Sequence, residues 1–127
     1  MLNNAGFRRS VLIGPSFFLM DSSKSQTAKS VRFMPDINKE GNYHVYTYFQ
    51  KLDNGAEQTQ VSISDGSQVK ETVINRSEVQ VIGQTSGEWV SLGKYKLPKG
   101  KKAFVEISTK GANGKVIADA VLFVAEE

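Results

Sequence analysis

The residues that could catalyse a reaction are few in this chain, which has one histidine, His44, and no cysteine. A Ser-His-Asp arrangement would have to use His44, but that residue lies beside Tyr43 in a run typical of a strand. The sequence also lacks a Gly-x-Ser-x-Gly elbow, a glycine-rich phosphate loop and a His-Glu-x-x-His pair. Paired carboxylates could still form a hydrolytic site, but the acids are scattered singly. We therefore predict no catalytic residue, and we expect that the domain alone is not an enzyme.

Aromatic side chains indicate binding rather than catalysis. Side chains alternate along a strand, so His44, Tyr46 and Tyr48 would share one face. The opposite face, which includes Val45 and Phe49, is better suited to the core. Because exposed flat rings can stack on the faces of sugars, we predict that His44, Tyr46 and Tyr48 bind a carbohydrate ligand. The alternative is that a neighbouring loop or the N-terminal segment covers the two tyrosines.

Two further features have both a functional and a structural interpretation. Trp89 could be a ligand platform, but the usual burial of tryptophan favours a core anchor at one end of the fold. Five nearby lysines could bind an acidic polysaccharide or a phosphate backbone, or they could protect a strand edge from aggregation. We favour edge protection, because nucleic-acid-binding sheets interleave aromatics with basic residues and only Tyr95 does so here. The lysines are Lys94, Lys96, Lys99, Lys101 and Lys102.

Composition argues against several kinds of partner. The net charge of +3 is too small to require nucleic acid, and no run of about 18 apolar residues is present to cross a membrane. No series of acidic residues at loop spacing indicates calcium, so we predict no metal and no cofactor. Asn75-Arg76-Ser77 matches a glycosylation acceptor, but matches of three residues are frequent by chance.

The elements that must position these residues are strands. Short runs rich in Val, Ile, Tyr, Phe and Thr alternate with Gly, Asn, Asp and Ser clusters, which is typical of a sandwich. No segment has sustained 3.6-residue apolar spacing, so helix should be minimal. We predict an all-β fold: an antiparallel β-sandwich of the jelly-roll or galactose-binding-like type, with about eight strands. The predicted strands are residues 16–20, 30–34, 43–50, 58–64, 69–75, 89–97, 103–108 and 116–124.

The chain has the length of a single domain, which we assign to residues 1–127 with an ordered core of about 16–125. Asp65-Gly66 predicts a hairpin turn. The closing strand is apolar except for Asp119, whose charge would need a partner if it is buried. Val79, with the apolar residues 81 and 82, could form a short strand or only fix a loop to the core.

Three segments carry a resemblance to a known family. Residues 87–95 contain a Gly-x-Trp-Val-x-Leu-Gly-x-Tyr pattern, and residues 114–121 end in Ala-Asp-Ala-Val. Together with the aromatic run at residues 41–48, they resemble the golvesin C-terminal-like domain, over roughly residues 17–124. That domain is found at the C-terminal ends of bacterial proteins that include xanthan lyases and FAD-dependent oxidoreductases.

The resemblance implies an accessory β-sandwich, similar to carbohydrate-binding modules, in the C-terminal part of a larger chain. It implies a structural role for the motif residues Trp89, Leu92, Gly93, Tyr95 and Asp119, with Asp119 bonded to backbone N–H groups. We expect a non-catalytic module that binds polysaccharide beside a catalytic domain, in a secreted, periplasmic or cell-surface bacterial protein. The alternative is a purely structural module that packs on its catalytic neighbour without contacting substrate.

Overall fold

A computed structural model of the chain describes residues 11–13, 18–21, 30–50, 55–79, 87–110 and 115–126. In these ranges the chain forms ten β-strands and one 3₁₀ turn, Arg76–Glu78, so the prediction of an all-β fold is confirmed. The strands are β1 (Val11–Ile13), β2 (Phe18–Asp21), β3 (Ser30–Phe33), β4 (Gly41–Gln50), β5 (Gln58–Ser64), β6 (Val69–Asn75), β7 (Gly87–Leu97), β8 (Phe104–Ser108), β9 (Lys115–Ala118) and β10 (Ala120–Ala125).

Two four-stranded sheets and a short ribbon make up an antiparallel sandwich of the jelly-roll type. The first sheet has the order β1-β10-β4-β7, and the second has the order β3-β8-β5-β6. Strands β2 and β9 pair separately as the ribbon. Strand β7 is therefore an edge strand of the first sheet, and β6 is an edge strand of the second.

The core lies between the facing sides of the two sheets, where side chains alternate in and out as the pleat requires. On β4, Val45 is fully buried, and Val61 of β5 and Phe123 of β10 are buried with it. Full burial of an apolar side chain of this size contributes roughly 1.5–3 kcal/mol. The shared core holds the outer faces of both sheets in fixed positions.

The turns follow the predicted chemistry at the β5–β6 hairpin. Gly66 has a φ of 98°, and the Asp65 carboxylate accepts bonds of 2.8 Å from the backbone N–H groups of Ser67 and Gln68. A second contact joins distant loops: Ile37 and Gly100 exchange backbone bonds of 3.0 and 2.8 Å. The hairpin and this bridge fix the connections at the ends of the sandwich.

The structure differs from the sequence prediction at both ends of the chain. Strand β1 precedes the expected ordered core, and the expected closing strand is two strands, because the chain leaves the ribbon at Asp119 and enters the first sheet. Val79 is buried and ends the 3₁₀ turn, whereas residues 81 and 82 lie outside the described ranges. No helix in the described ranges has the length and apolar character needed to span a membrane.

Candidate functional site

Strand β4 presents His44, Tyr46 and Tyr48 on the outer face of the first sheet, where each side chain is half-buried. The alternate residues on the strand, from Tyr43 to Phe49, are buried in the core. The orientation predicted for this strand is therefore confirmed. Neighbouring strands decide what surrounds the two tyrosine rings.

Trp89 lies directly opposite Tyr48 on β7, and the prediction that it anchors the core is wrong. Its side chain is 39% exposed, and its ring meets that of Tyr48 edge-to-face at 5.3 Å. The physical reason is the alternation of β7, which directs Val90 and Leu92 towards the core and leaves Trp89 outside. We refer to Tyr46, Tyr48 and Trp89 as the aromatic strip.

A β-bulge in β7 decides which residues border the strip. The pairing of β4 with β7 shifts register between Val45 and Tyr46, and Gly93 takes a φ of 108° at this point. The extra residue reverses the side-chain alternation beyond it. As a result Ser91 and Lys94 are both exposed, while Tyr95 packs against the core.

Three charged or titratable groups close one end of the strip. Glu126 Oε2 lies 3.0 Å from Lys94 Nζ and 3.3 Å from His44 Nε2. The bond from Lys94 and its positive charge hold the pKa of the Glu126 carboxyl below its usual range. The His44 ring stacks on that of Tyr46 at 6.5 Å, so the cluster is continuous with the aromatic strip.

The remaining motif residues hold the strands that carry the strip. Leu92 is buried, and the Tyr95 hydroxyl donates to the Leu92 carbonyl oxygen. Burial raises the pKa of Tyr95. Buried Asp119 accepts a 2.8 Å bond from Gln50 Nε2, so its partner among the described residues is a side chain rather than the expected backbone N–H groups.

The lysines divide between two places. Lys94 and Lys96 extend from the outer side of edge strand β7, and the other three are exposed in the connection to β8. Lysines along an exposed edge discourage pairing with another chain, which agrees with the structural interpretation of the first two. The three in the connection are Lys99, Lys101 and Lys102.

A hollow of about 410 Å³ opens between the edge strands β6 and β7. Its size falls in the range of small-molecule sites, about 300–1,000 Å³. Trp89 borders the hollow as well as the strip, and Asn75 and Glu78 line its other side. Asn75 Nδ2 donates a 2.6 Å bond to Glu78 Oε1. Polar groups and an aromatic ring thus converge at one edge of the sandwich.

This hollow was not predicted from the sequence. Asn75 stood out there only as part of a glycosylation match, and Glu78 belonged to no recognised motif. The two strands that form the hollow are not hydrogen-bonded to each other, so no local pattern places them together. The polar residue at the end of the predicted strand 69–75 is the signal that the sequence offers.

Comparison with known protein families shows which family the chain belongs to. A family model described as the Golvesin C-terminal domain matches residues 14–125. The chain belongs to this family. The resemblance inferred from residues 41–48, 87–95 and 114–121 is confirmed, and it holds over nearly the whole length of this golvesin C-terminal domain.

Individual relatives of the golvesin C-terminal domain are parts of larger enzymes. A xanthan lyase from Bacillus sp. (strain GL1) is 30% identical over 111 residues, which are 85% of this chain and 11% of that protein. The solved structure of a Paenibacillus xanthan lyase matches 99% of this chain with 13% of its own, at 22% identity and a TM-score of 0.68.

A more distant solved structure has the same fold. The GH26-CBM35 β-(1,4)-mannanase of Podospora anserina matches 93% of this chain with 28% of its own, at 10% identity and a TM-score of 0.58. Within the described residues of the golvesin C-terminal domain, no three His, Asp or Glu side chains come together as a metal site.

Proposed function

We propose that this domain is a non-catalytic accessory module that binds polysaccharide through its aromatic strip. The observation that carries the proposal is the edge-to-face packing of Trp89 on Tyr48, with half-buried Tyr46 beside them on the outer face of the sheet. Rings fixed by packing present apolar surface at little entropic cost on binding. The apolar C–H faces of pyranose rings are the ligand surface that fits them, and His44 borders the same strip.

The relatives support the proposal by their context. A xanthan lyase acts on a polysaccharide, and the golvesin C-terminal domain corresponds to about a ninth of the Bacillus enzyme. The mannanase carries a carbohydrate-binding module by name, although likeness of fold is only an analogy for function. The module would thus hold a catalytic neighbour on its polymer, in a bacterial protein that is secreted, periplasmic or on the cell surface.

One observation favours a second function, in which the outer face packs on a neighbouring catalytic domain. Leu12 of β1 is 54% exposed and lies opposite Leu122 of β10. Leu122 in turn lies opposite Tyr46, so apolar side chains continue from the strip towards the other edge of the sheet. A neighbouring domain that covered this row would use the same face without contacting substrate.

Affinity electrophoresis tests the first function. Gels that contain xanthan, galactomannan, β-glucan, xylan or polygalacturonate would be run with wild type, the Tyr46→Ala/Tyr48→Ala double variant and Trp89→Ala. We expect wild type to be retarded by at least one polymer. Each lost ring should raise the dissociation constant roughly tenfold, which corresponds to about 1.4 kcal/mol of binding free energy.

Phe104→Ala is the matched control, because Phe104 lies on the outer side of the second sheet, where Arg32 packs 3.9 Å from the centre of its ring. It should bind as wild type does. Circular dichroism would establish that every variant is folded. Failure of wild type to bind any of the five polymers would reject the proposal in favour of the packing function.

A further inference from the structure

The hollow between β6 and β7 extends the aromatic strip over the edge of the first sheet. Trp89 belongs to both, since its ring packs on Tyr48 on the outer face and the residue also lines the hollow. A ligand that crosses Tyr48 and Trp89 in the direction perpendicular to the strands reaches the hollow next. We propose that this hollow is a subsite that holds an uncharged pyranose unit by hydrogen bonds, an inference that rests on the proposed function.

A prepositioned polar group faces the ligand in this subsite. Glu78 is fixed by the 2.6 Å bond from Asn75 Nδ2, and Asn75 Oδ1 accepts a 3.1 Å bond from Gln58 Nε2. The chain of three side chains orients the Glu78 carboxylate, whose second oxygen can accept from sugar hydroxyls. Bonds to a charged acceptor are roughly twice as strong as neutral ones.

The floor of the hollow suits the apolar side of a sugar ring. Ile74, Val79 and Leu92 are buried and line it, and Val90, which packs against the core, lines it as well. A small number of polar groups over an apolar floor is the usual composition of a ligand site. The hollow therefore offers both kinds of contact that a pyranose makes.

The charges of the lining determine the class of sugar. Glu78 and Glu88 contribute carboxylates, and the described residues that line the hollow include no lysine or arginine. A uronate placed here would meet like charges at close range, which disfavours its ionised form. The lysines of the β7–β8 connection lie outside this lining, so the subsite selects an uncharged unit.

Two pairs of variants test the subsite on the polymer that wild type binds best. Glu78→Gln should raise the dissociation constant by about tenfold, because the charge-assisted bond from the sugar hydroxyl to the Glu78 carboxylate is lost. Its control is Glu71→Gln on the outer side of the second sheet. There Gln60 Nε2 donates a similar 2.9 Å hydrogen bond to Glu71 Oε2. That control should bind as wild type does.

Thr72→Trp should fill the hollow and weaken binding at least as much as Glu78→Gln does. Its control is Glu71→Trp, which places the same ring one residue away on the opposite face of β6 and should bind as wild type does. Calorimetry with the best-bound polymer, and with galactomannan and polygalacturonate as the uncharged and carboxylated pair, gives the readout. Stronger binding of polygalacturonate than of galactomannan, or unchanged binding by both Glu78→Gln and Thr72→Trp, would overturn the subsite alone. Absence of glycan binding in wild type, or unchanged binding in both the Tyr46→Ala/Tyr48→Ala double variant and Trp89→Ala, would count against the proposed function instead.

Discussion

The Asp65 carboxylate shows how one half-buried turn residue can make the stability of a hairpin depend on pH. Its two bonds from the backbone N–H groups of Gln68 and Ser67 hold its pKa below the usual range in the folded protein. A group whose pKa is lowered by folding stabilises the protein above its unfolded pKa, about 3.9 for aspartate. That stabilisation is lost as the pH falls through the lower, folded value.

We therefore expect Asp65→Ala to reduce stability at neutral pH and to reduce the loss of stability on acidification. Urea unfolding at a series of pH values between 7 and roughly 2 measures both effects. Ser67→Ala is the control, because it keeps the backbone N–H that donates to Asp65. Equal pH dependence in wild type and Asp65→Ala would contradict the assignment of this role to Asp65.

Residue positions were predictable from the sequence where alternation alone decides them. On β4 the faces of Tyr46 and Val45 follow from their order, and the structure confirms both. On β7 the same rule also places Trp89 outside, because Val90 and Leu92 face the core. The general tendency of tryptophan to be buried led to the wrong expectation, since an edge position and the Tyr48 ring provide enough contact at the surface.

At the scale of elements, the bulge in β7 determines which side chains reach the outer face. Gly93 has a φ of 108°, and a Cβ added there would lie 3.2 Å from the Tyr95 hydroxyl oxygen. We expect Gly93→Ala to destabilise the domain by about 1–3 kcal/mol, because a non-glycine residue is strained in this conformation. Chemical denaturation of Gly93→Ala beside Gly41→Ala measures the effect.

Gly41 is the suitable control because an added Cβ meets no atom within 4 Å and its φ is not positive. Gly41→Ala should change stability little. If the two variants unfold at the same urea concentration, the bulge does not depend on glycine.

The closing segment shows where strand prediction from one sequence reaches its limit. An apolar run from residue 116 to 124 indicates a strand, but it does not show that the chain changes partners within the run. Asp119 marks the change, since it is buried beside Gln50 while Thr47 Oγ1 donates to the Ala120 carbonyl oxygen at 3.0 Å. The single acid in this apolar run indicated that Asp119 differs from its neighbours. Only the pairing between distant strands shows that the chain passes from the ribbon to the first sheet there.

At the scale of the whole molecule, the described residues of the sandwich form a hollow where the edge strands β6 and β7 face each other. The hollow there depends on the order of strands, which no local pattern encodes. The aromatic strip, by contrast, depends mainly on one strand and was largely predictable. Both features lie on the same side of the domain, because Trp89 connects them.

The separation of the lysines from the hollow leads to a prediction about salt. Binding of an uncharged polysaccharide should change less than about twofold between 50 and 500 mM NaCl, since screening weakens only interactions between charges. Any retardation by polygalacturonate should disappear at the higher salt, and also in the Lys99→Gln/Lys101→Gln/Lys102→Gln variant at low salt. Affinity electrophoresis at the two salt concentrations makes the comparison. A steep fall in galactomannan binding with salt would mean that the lysines, rather than the strip and the hollow, supply the affinity.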